Sequence, residues 1–517
     1  MVKLILLLIL SICLYAKEFT LSSYNVENLF DLKNNKSDYK EYKPNNKSNW
    51  NRKNFNIKVS NLIKVIKDIN SDIIALQEIE NKQLLQLLIK KLPEYKYYSF
   101  SKYPNSSVGV GFLSKIKIIK NNTINVKFPN KIFRPILETT FKIERNQFKI
   151  FNNHWPSKKS AESYRIKYAK KLFDRIKELP FDYDYILVGD FNSNYNEFET
   201  ISYNKELNNT QGISGINQVL NTTIDKNYIT KQDLLKHNRK VHYNLWLEIP
   251  YTQRFSSKYR GKNQTPDNII ISSSLFDKKN ISYKPNSFKV FKPSYLYKNN
   301  KINRWKIKNR VHQGSGYSDH LPIIATFTTN RVDYKKENID KNNSLEKIST
   351  LYKKIKLIEP ITLKDAIVIF KDSKNYIIKQ KNDRAIYIYN SDKKLKEGYS
   401  YDIILYQIKD YFGLKEITKF SILNNNGKYP FYKNLYLDGN KIDITKLKYQ
   451  NDIVKNLDGL YKNGKFYYKG NTIKIYFKNK EDRPKKTVNI KIKRAQIGFY
   501  KNSVQLVIHD KSDIDVN

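Results

Sequence analysis

Tyr185-Ile186-Leu187-Val188-Gly189-Asp190-Phe191-Asn192 is the stretch that decides how the first three-fifths of this 517-residue chain is read. Four consecutive apolar residues, short and partly β-branched, mark a strand buried on both faces rather than one side of a helix. Polar residues follow at once, so a carboxylate and an amide stand where the strand ends.

The same arrangement recurs on either side. Phe19-Thr20-Leu21-Ser22-Ser23-Tyr24 reads as a strand running into Asn25-Val26-Glu27-Asn28, and Asp72-Ile73-Ile74-Ala75-Leu76 as one running into Gln77-Glu78. Asp267 stands before Asn268-Ile269-Ile270-Ile271, and Ser318-Asp319-His320 before Leu321-Pro322-Ile323-Ile324-Ala325. A further polar cluster, Asn152-Asn153-His154-Trp155-Pro156-Ser157, lies between them. Phe55–Ile69 has helical spacing in Ile57, Leu62, Ile63, Val65, Ile66 and Ile69. Together these predict a mixed α/β domain over residues 17–330. Its strand ends would gather distant polar groups at one sheet edge on a rigid frame, and the chemistry is expected there.

Lys and Arg number 95 against 49 acidic residues, a formal net charge of +46. Such a charge repels itself unless a polyanion or salt screens it, which points to nucleic acid, anionic lipid or acidic glycan. An A/T-rich coding sequence explains most of the lysine without selection for binding, but explains the excess over acids less well. With 40% hydrophobic and 14% aromatic residues the chain can build sizeable cores, which excludes wholesale disorder.

Lys3, the apolar run Leu4–Leu14 and then Tyr15-Ala16 read as a signal peptide cut after Ala16, so residues 1–16 would be removed on export to the periplasm or medium. The run is too short for a comfortable span of about 20 residues, so no stable membrane insertion is expected after cleavage. Cys13 suggests a lipoprotein as an alternative, which bulky Ile12 disfavours. Cys13 is the only cysteine, so the processed chain must be stabilised by packing without disulfides.

Residues 331–355 are charged and turn-rich, a linker. Beyond it, 363–422 and 451–512 look like imperfect copies of one β unit: Asn375–Ile378 and Ala385–Tyr389 in the first match Lys465–Tyr468 and Ile473–Phe477 in the second. One or two small barrels of the OB type are expected, over 356–440 and 441–517. The alternative is a β-sandwich extension with no binding role. Tyr376, Tyr387, Tyr389, Phe412, Phe466, Tyr467, Tyr468, Phe477 and Phe499 are candidates for stacking on bases. Only a minority should serve, because strand aromatics are more often core.

Taken singly, each polar cluster is common; the ordered series of Asn, Glu, His, Asp-x-Asn, Asp and Asp-His at strand boundaries is not. In this series the chain resembles the endonuclease/exonuclease/phosphatase superfamily. Asn25-Val26-Glu27-Asn28-Leu29-Phe30-Asp31, Arg134-Pro135-Ile136-Leu137 and the stretch from Trp246-Leu247-Glu248 to Arg254 look like its bacterial extracellular-nuclease branch. The resemblance implies a four-layer α/β sandwich of the deoxyribonuclease I type and a divalent-metal-dependent phosphodiesterase. It implies Glu78, Asp319 and Glu27 as ligands of Mg²⁺, with Mn²⁺ or Ca²⁺ as alternatives, since hard cations take oxygen donors. Asn25 and Asn192 would orient the scissile phosphate, Asp190 would position the attacking water, and Asp267 would fix the tautomer of His320. His154 would protonate the leaving group or stabilise the phosphate, and which histidine is acid and which is base stays open. One departure is Ser106-Ser107-Val108-Gly109-Val110-Gly111 where the branch often has Asp-Arg-Gly, which leaves a phosphate or structural contact unassigned. Another is Asn268, which follows Asp267 where a His is frequent.

The expected function is a secreted nuclease acting on DNA, with RNA left open as a further substrate, favoured as a monomer. Two alternatives stand beside it: a sphingomyelinase-like phospholipid phosphodiesterase, and a non-catalytic nucleic-acid-binding protein on an enzyme frame.

Overall fold

The computed structural model describes residues 17–516, apart from 45–46, 202–203, 225–226, 235–238, 250–252, 278, 330–346, 358–359 and 502. Residues 1–16, expected to be a signal peptide, and most of the stretch 331–355, expected to be a linker, lie outside the described residues. No described helix is long and apolar enough to cross a membrane.

In chain order the N-terminal part contains β1 (Glu18–Leu29), α1 (Arg52–Ile69), β2 (Ile73–Ile79), α2 (Lys82–Lys91), β3 (Tyr97–Ser101) and β4 (Gly109–Ser114). Then come β5 (Lys117–Ile124), β6 (Ile136–Ile143), β7 (Asn146–His154), α3 (Glu162–Lys177), β8 (Tyr185–Asp190), β9 (His242–Asn244), β10 (Asp267–Ser272) and β11 (Ile323–Thr328). One sheet has the order β11-β1-β2-β4-β3, the other β9-β10-β8-β7-β6-β5. In each sheet one central pair is parallel, β1 with β2 and β7 with β8.

The alternation of side chains along these strands builds the layers. Leu21, Ile73, Ala75 and Phe112 of the first sheet meet Phe148, Ile150, Ile186, Val188 and Ile269 of the second in one dry core. The intervening residues Tyr24, Ile74, Leu76 and Leu113 pack outward on Leu62, Val65 and Ile66 of α1 and Leu84, Leu85 and Leu88 of α2. On the other side Phe151, Leu187 and Ile270 pack on Tyr168, Ala169, Leu172 and Ile176 of α3. The result is the four-layer α/β sandwich, and it explains why these strands read as unbroken apolar runs: both faces are covered. Each of these aliphatic side chains contributes about 1.5–3 kcal/mol on leaving water. Helix ends are fixed locally: Asn51 caps α1 by accepting from the Asn54 amide, and Asn70 ends it in the left-handed conformation at φ 50°.

The C-terminal unit is built differently. Strands β12 (Ile361–Asp372), β13 (Asn375–Lys379), β14 (Ala385–Ile388), β15 (Tyr399–Tyr411) and β16 (Leu414–Lys428) close into a barrel in the order β12-β13-β14-β16-β15. A second module follows with β17 (Leu457–Lys462), β18 (Lys465–Tyr468), β19 (Asn471–Phe477), β20 (Val488–Ile492), β21 (Ala495–Tyr500) and β22 (Ser503–Ile508). Its pairings repeat the first: β17 with β18, β18 with β19, β19 parallel to β22, β22 with β21 and β20 with β17. Here β20 and β21 together take the place of β15. The strand breaks between them because the Asp513 carbonyl accepts from the amides of both Lys493 and Arg494, at 2.8 and 3.2 Å. The first module is a closed five-stranded barrel, and the second repeats its pairings within an open nine-stranded sheet with a broken fourth strand, an arrangement compatible with modules of the OB kind. Of the aromatic candidates, Tyr376, Tyr387, Phe466, Tyr468 and Phe477 are core, whereas Tyr389, Phe412 and Tyr467 are exposed.

Candidate active site

Strand register assembles one half of the site. On parallel β7 and β8, His154 lies opposite Asp190; on antiparallel β8 and β10, Asp190 lies opposite Asp267. Three polar residues therefore form a row across the sheet, about 4.8 Å from strand to strand. Gly189 permits this close pairing: its φ is +126°, and a Cβ there would sit 2.1 Å from the Asn153 carbonyl oxygen.

Irregularity assembles the other half. The β1–β2 ladder is regular to Asn25 opposite Gln77, then slips before Leu29 pairs with Ile79. Within the slip Glu27, Asn28 and Glu78 adopt φ of 52°, 65° and 66°. That conformation costs a non-glycine residue roughly 1–2 kcal/mol, and such strain concentrates at functional sites. The bulge re-aims Glu78 out of the regular pleat. Asn25 spans the two sheets, its Nδ2 donating to Glu78 Oε1 at 3.1 Å and to Asp190 Oδ2 at 3.0 Å. Beneath it, Asn152 donates to the Leu76 and Gly111 carbonyls and accepts from Gln77 Nε2, tying the sheets together under the site.

The two histidines are held in opposite charge states. Burial works to lower the pKa of His320, but Asp267, by charge and hydrogen bond, then Asp319 and Asp190, hold it well above the ordinary value. His320 Nδ1 lies 2.7 Å from Asp267 Oδ2, which also accepts from Ser256 Oγ at 2.6 Å. His154 goes the other way: burial, then Arg134 and His320, depress its pKa far below normal. Its Nε2 lies 3.6 Å from both Glu78 Oε1 and Asp190 Oδ2, while its buried Nδ1 has no hydrogen-bond partner among the described residues. Asp190 is pushed up to about 6, chiefly by burial and further by Asp267 and Glu78. Asn192 donates its backbone amide to Asp190 Oδ1 at 2.8 Å and its side-chain amide to Asp190 Oδ2 at 3.2 Å, from a left-handed backbone at φ 47°. Asp190, Asp267 and His320 offer ligand atoms within 4.8 Å of one another, but the His320 Nδ1 is committed to Asp267, so this trio suits proton handling.

The remaining carboxylates gather beside it. Glu78 is raised by burial and then by the charge of Asp319; Glu27 is raised to about 7 by burial and then Asp319. Arg304 grips Glu27 Oε1 and reaches Asp319 Oδ2 at 3.6 Å, and the Trp305 amide donates to Glu27 Oε2 at 3.0 Å. Buried Lys58 donates to the Glu27 and Tyr317 carbonyls, both at 3.0 Å, and burial lowers its pKa to about 8. Mutually repelling, partly desolvated oxygen donors fit a hard divalent cation. Glu27 is occupied by Arg304 and the Trp305 amide, which leaves Glu78 and Asp319 as the carboxylates that would hold such an ion, with Arg304 linking Glu27 to Asp319.

Several supporting residues escaped the reading of the sequence. Ser318 donates to the Asn25 carbonyl at 2.6 Å and accepts from the His320 amide at 3.1 Å, locking the Asp-His turn onto β1. Ser256, Arg304 and Lys58 carry no local pattern that would single them out in a Ser- and Lys-rich chain. The quoted motifs have structural explanations: Trp246 Nε1 donates to the Asp267 carbonyl at 2.7 Å, and Arg134 Nη2 donates to the Trp155 carbonyl at 2.9 Å, the oxygen that Asn192 also uses. Asn268, the departure beside Asp267, spends its amide on three carbonyls of the 193–266 loop. Three other described histidines lie elsewhere. His242 bonds Tyr185, His312 bonds Trp305 and His509 bonds Gln496.

Among solved structures, the chain is similar to D. rerio TDP2 complexed with single strand DNA product, at 15% identity over 60% of this chain and 98% of that one, with TM-score 0.38. It is similar to an endonuclease/exonuclease/phosphatase family protein from Bacteroides thetaiotaomicron, at 13% identity over 61% and 99%, TM-score 0.38. ANGEL2, a 2′,3′-cyclic phosphatase, gives 14% identity over 61% and 96%, TM-score 0.38. No curated protein matches the chain. The model of the Endonuclease/Exonuclease/phosphatase family matches residues 20–329, the whole span that supplies the two sheets and every residue of the site. The chain belongs to the endonuclease/exonuclease/phosphatase family, whose members hydrolyse phosphoester bonds.

Proposed function

We propose that the protein is an exported, divalent-metal-dependent nuclease that hydrolyses phosphodiester bonds of nucleic acid, with DNA as the expected substrate and RNA decided by the test below, in the manner of the bacterial extracellular branch. The observation that carries this reading is the row His154–Asp190–Asp267, with His320 charged on Asp267 and Asn25 bridging to Glu78. Asp190 is ionised above about pH 6 and takes the proton of the attacking water, which the Asn25 and Asn192 amides help to orient. Held protonated, His320 balances charge developing on the phosphate and can give its Nε2 proton towards the leaving oxygen. His154, held neutral, offers a hydrogen bond without competing for that proton. Glu78 and Asp319 would hold a hard divalent ion, which would supply positive charge to offset the negative charge on the phosphate oxygens. The net charge of +46 suits a polyphosphate chain.

The test is incubation of residues 17–517 with supercoiled plasmid, single-stranded DNA and RNA, with Mg²⁺, Mn²⁺, Ca²⁺ or EDTA, beside Glu78→Ala and His320→Ala. Cleavage should require metal and fall at least about 100-fold in both variants. Hydrolysis of phospholipid vesicles with no nucleic acid cleaved would overturn the reading.

A further inference from the structure

A small hairpin rises from the catalytic pair and has no part in the chemistry above. Ser257 pairs with Gln264, Lys258 with Asn263 and Tyr259 with Lys262. The connection is Arg260-Gly261, at φ 47° and 77°. Two positive φ values in a two-residue loop make the tight turn that matches the twist of the strands, so the arm is stiff.

Its root is bonded to the reacting groups. Ser256 Oγ donates to Asp267 Oδ2 at 2.6 Å, Ser257 Oγ to the Asp319 carbonyl at 3.0 Å, and Ser257 forms an isolated bridge with His320. The Ser256 carbonyl accepts from the Leu321 amide at 2.7 Å. At the tip Tyr259 is 65% exposed, and the Arg260 guanidinium lies 5.3 Å from the centre of its ring. Arg260 and Lys262 are exposed as well. Lys258 is committed to the base, donating to Asn300 Oδ1 at 2.7 Å. One exposed aromatic ring beside two exposed cations suits a base and its phosphates, whereas a bilayer would want an apolar tip.

The geometry points to the hairpin Ser257–Gln264 as a polynucleotide-binding arm, with Tyr259 stacking on a base and Arg260 and Lys262 contacting phosphates remote from the one being cut. Three residues per strand at about 3.3 Å each carry the tip about 10 Å from His320. A nucleic acid strand advances about 3.4 Å per nucleotide along a duplex axis, so the contacts fall about three nucleotides from the scissile bond. The inference rests on the nuclease reading and adds to it a preference for longer substrates.

Two variants test it: Tyr259→Ala, and the double Arg260→Asn, Lys262→Thr, in which Asn-Gly preserves the turn. Both sites are exposed, and thermal melts check that folding is retained. Each is compared with the unmodified protein on oligonucleotides from two to twenty nucleotides over a range of salt. For the double variant the slope of log(1/KM) against log[salt] on duplex should be shallower by about 1.8, from two lost cations at about 0.9 each. Tyr259→Ala should raise KM on single strands roughly tenfold, with a smaller change in kcat. In both, the deficit should grow with substrate length and level off past about three nucleotides on the arm's side. A deficit equal on dinucleotides and long strands would overturn the proposal, because the arm would then merely prop His320 and Asp267. So would variants with unaltered length and salt dependence, or a deficit seen on phospholipid vesicles instead. Failure of the unmodified protein to cleave any nucleic acid would overturn the nuclease reading and this arm with it, a result distinct from active enzyme with indifferent variants.

Discussion

His320 and His154 approach the same carboxylate, Asp190, from different sheets, yet their surroundings hold one charged and the other neutral. The difference is Asp267, which bonds His320 at 2.7 Å, whereas the carboxylates beside His154, Glu78 and Asp190, stay 3.6 Å from its Nε2. Asp267→Asn keeps the shape but removes the charge, so kcat should fall by about 10²–10⁴ while substrate binding changes little, as steady-state kinetics would read. A structural histidine gives a second, independent prediction. Buried His242 has its pKa lowered from 6.5 to about 4, chiefly by burial. Between those values the unfolded chain binds a proton that the folded chain refuses, so stability is full above pH 6.5 and falls as pH drops towards 4. The contribution of this one group is about 3 kcal/mol, and His242→Gln should flatten the acid side of a denaturation-versus-pH curve.

Gly189→Ala tests the elements themselves: a Cβ would meet the Asn153 carbonyl and force β7 and β8 apart, so activity should drop sharply along with thermal stability. Circular dichroism melts and turnover measured together would show whether the register tolerates it. The strands of the sandwich were legible because both faces of each are covered, which leaves runs such as Ile73-Ile74-Ala75-Leu76 with no polar interruption. Residue identities such as Glu78, Asp190 and His320 were legible because they terminate or precede those runs. The bulge that turns Glu78 was not, since a left-handed glutamate has no sequence mark, and neither was the attachment of Glu27 to Arg304, 277 residues away. The hairpin 257–264 carries no alternation that would mark it as a pair of strands, because most of its residues are polar on both faces. The break in the second β module depends on Asp513, which no local pattern links to Lys493.

On the scale of the whole molecule, two units with separate cores share one chain. A chain cut after Thr329 keeps every residue of the site, so it should retain turnover at saturating substrate. If the barrels hold nucleic acid, as their exposed Tyr389, Phe412 and Tyr467 suit them to do, the shortened enzyme should show a higher KM and a weaker dependence on salt. Equal binding by both forms at every salt concentration would remove that role. The row His154–Asp190–Asp267 has one more implication. Its spacing is dictated by backbone ladders between strands that the chain leaves and re-enters after long excursions, so the parts of those excursions away from Asn192 and Ser256, which hold Asp190 and Asp267, can lengthen, shrink or be exchanged without shifting the row. The sheets act as a chassis common to many phosphoesters, and a descendant could acquire a new diet by refitting connections alone.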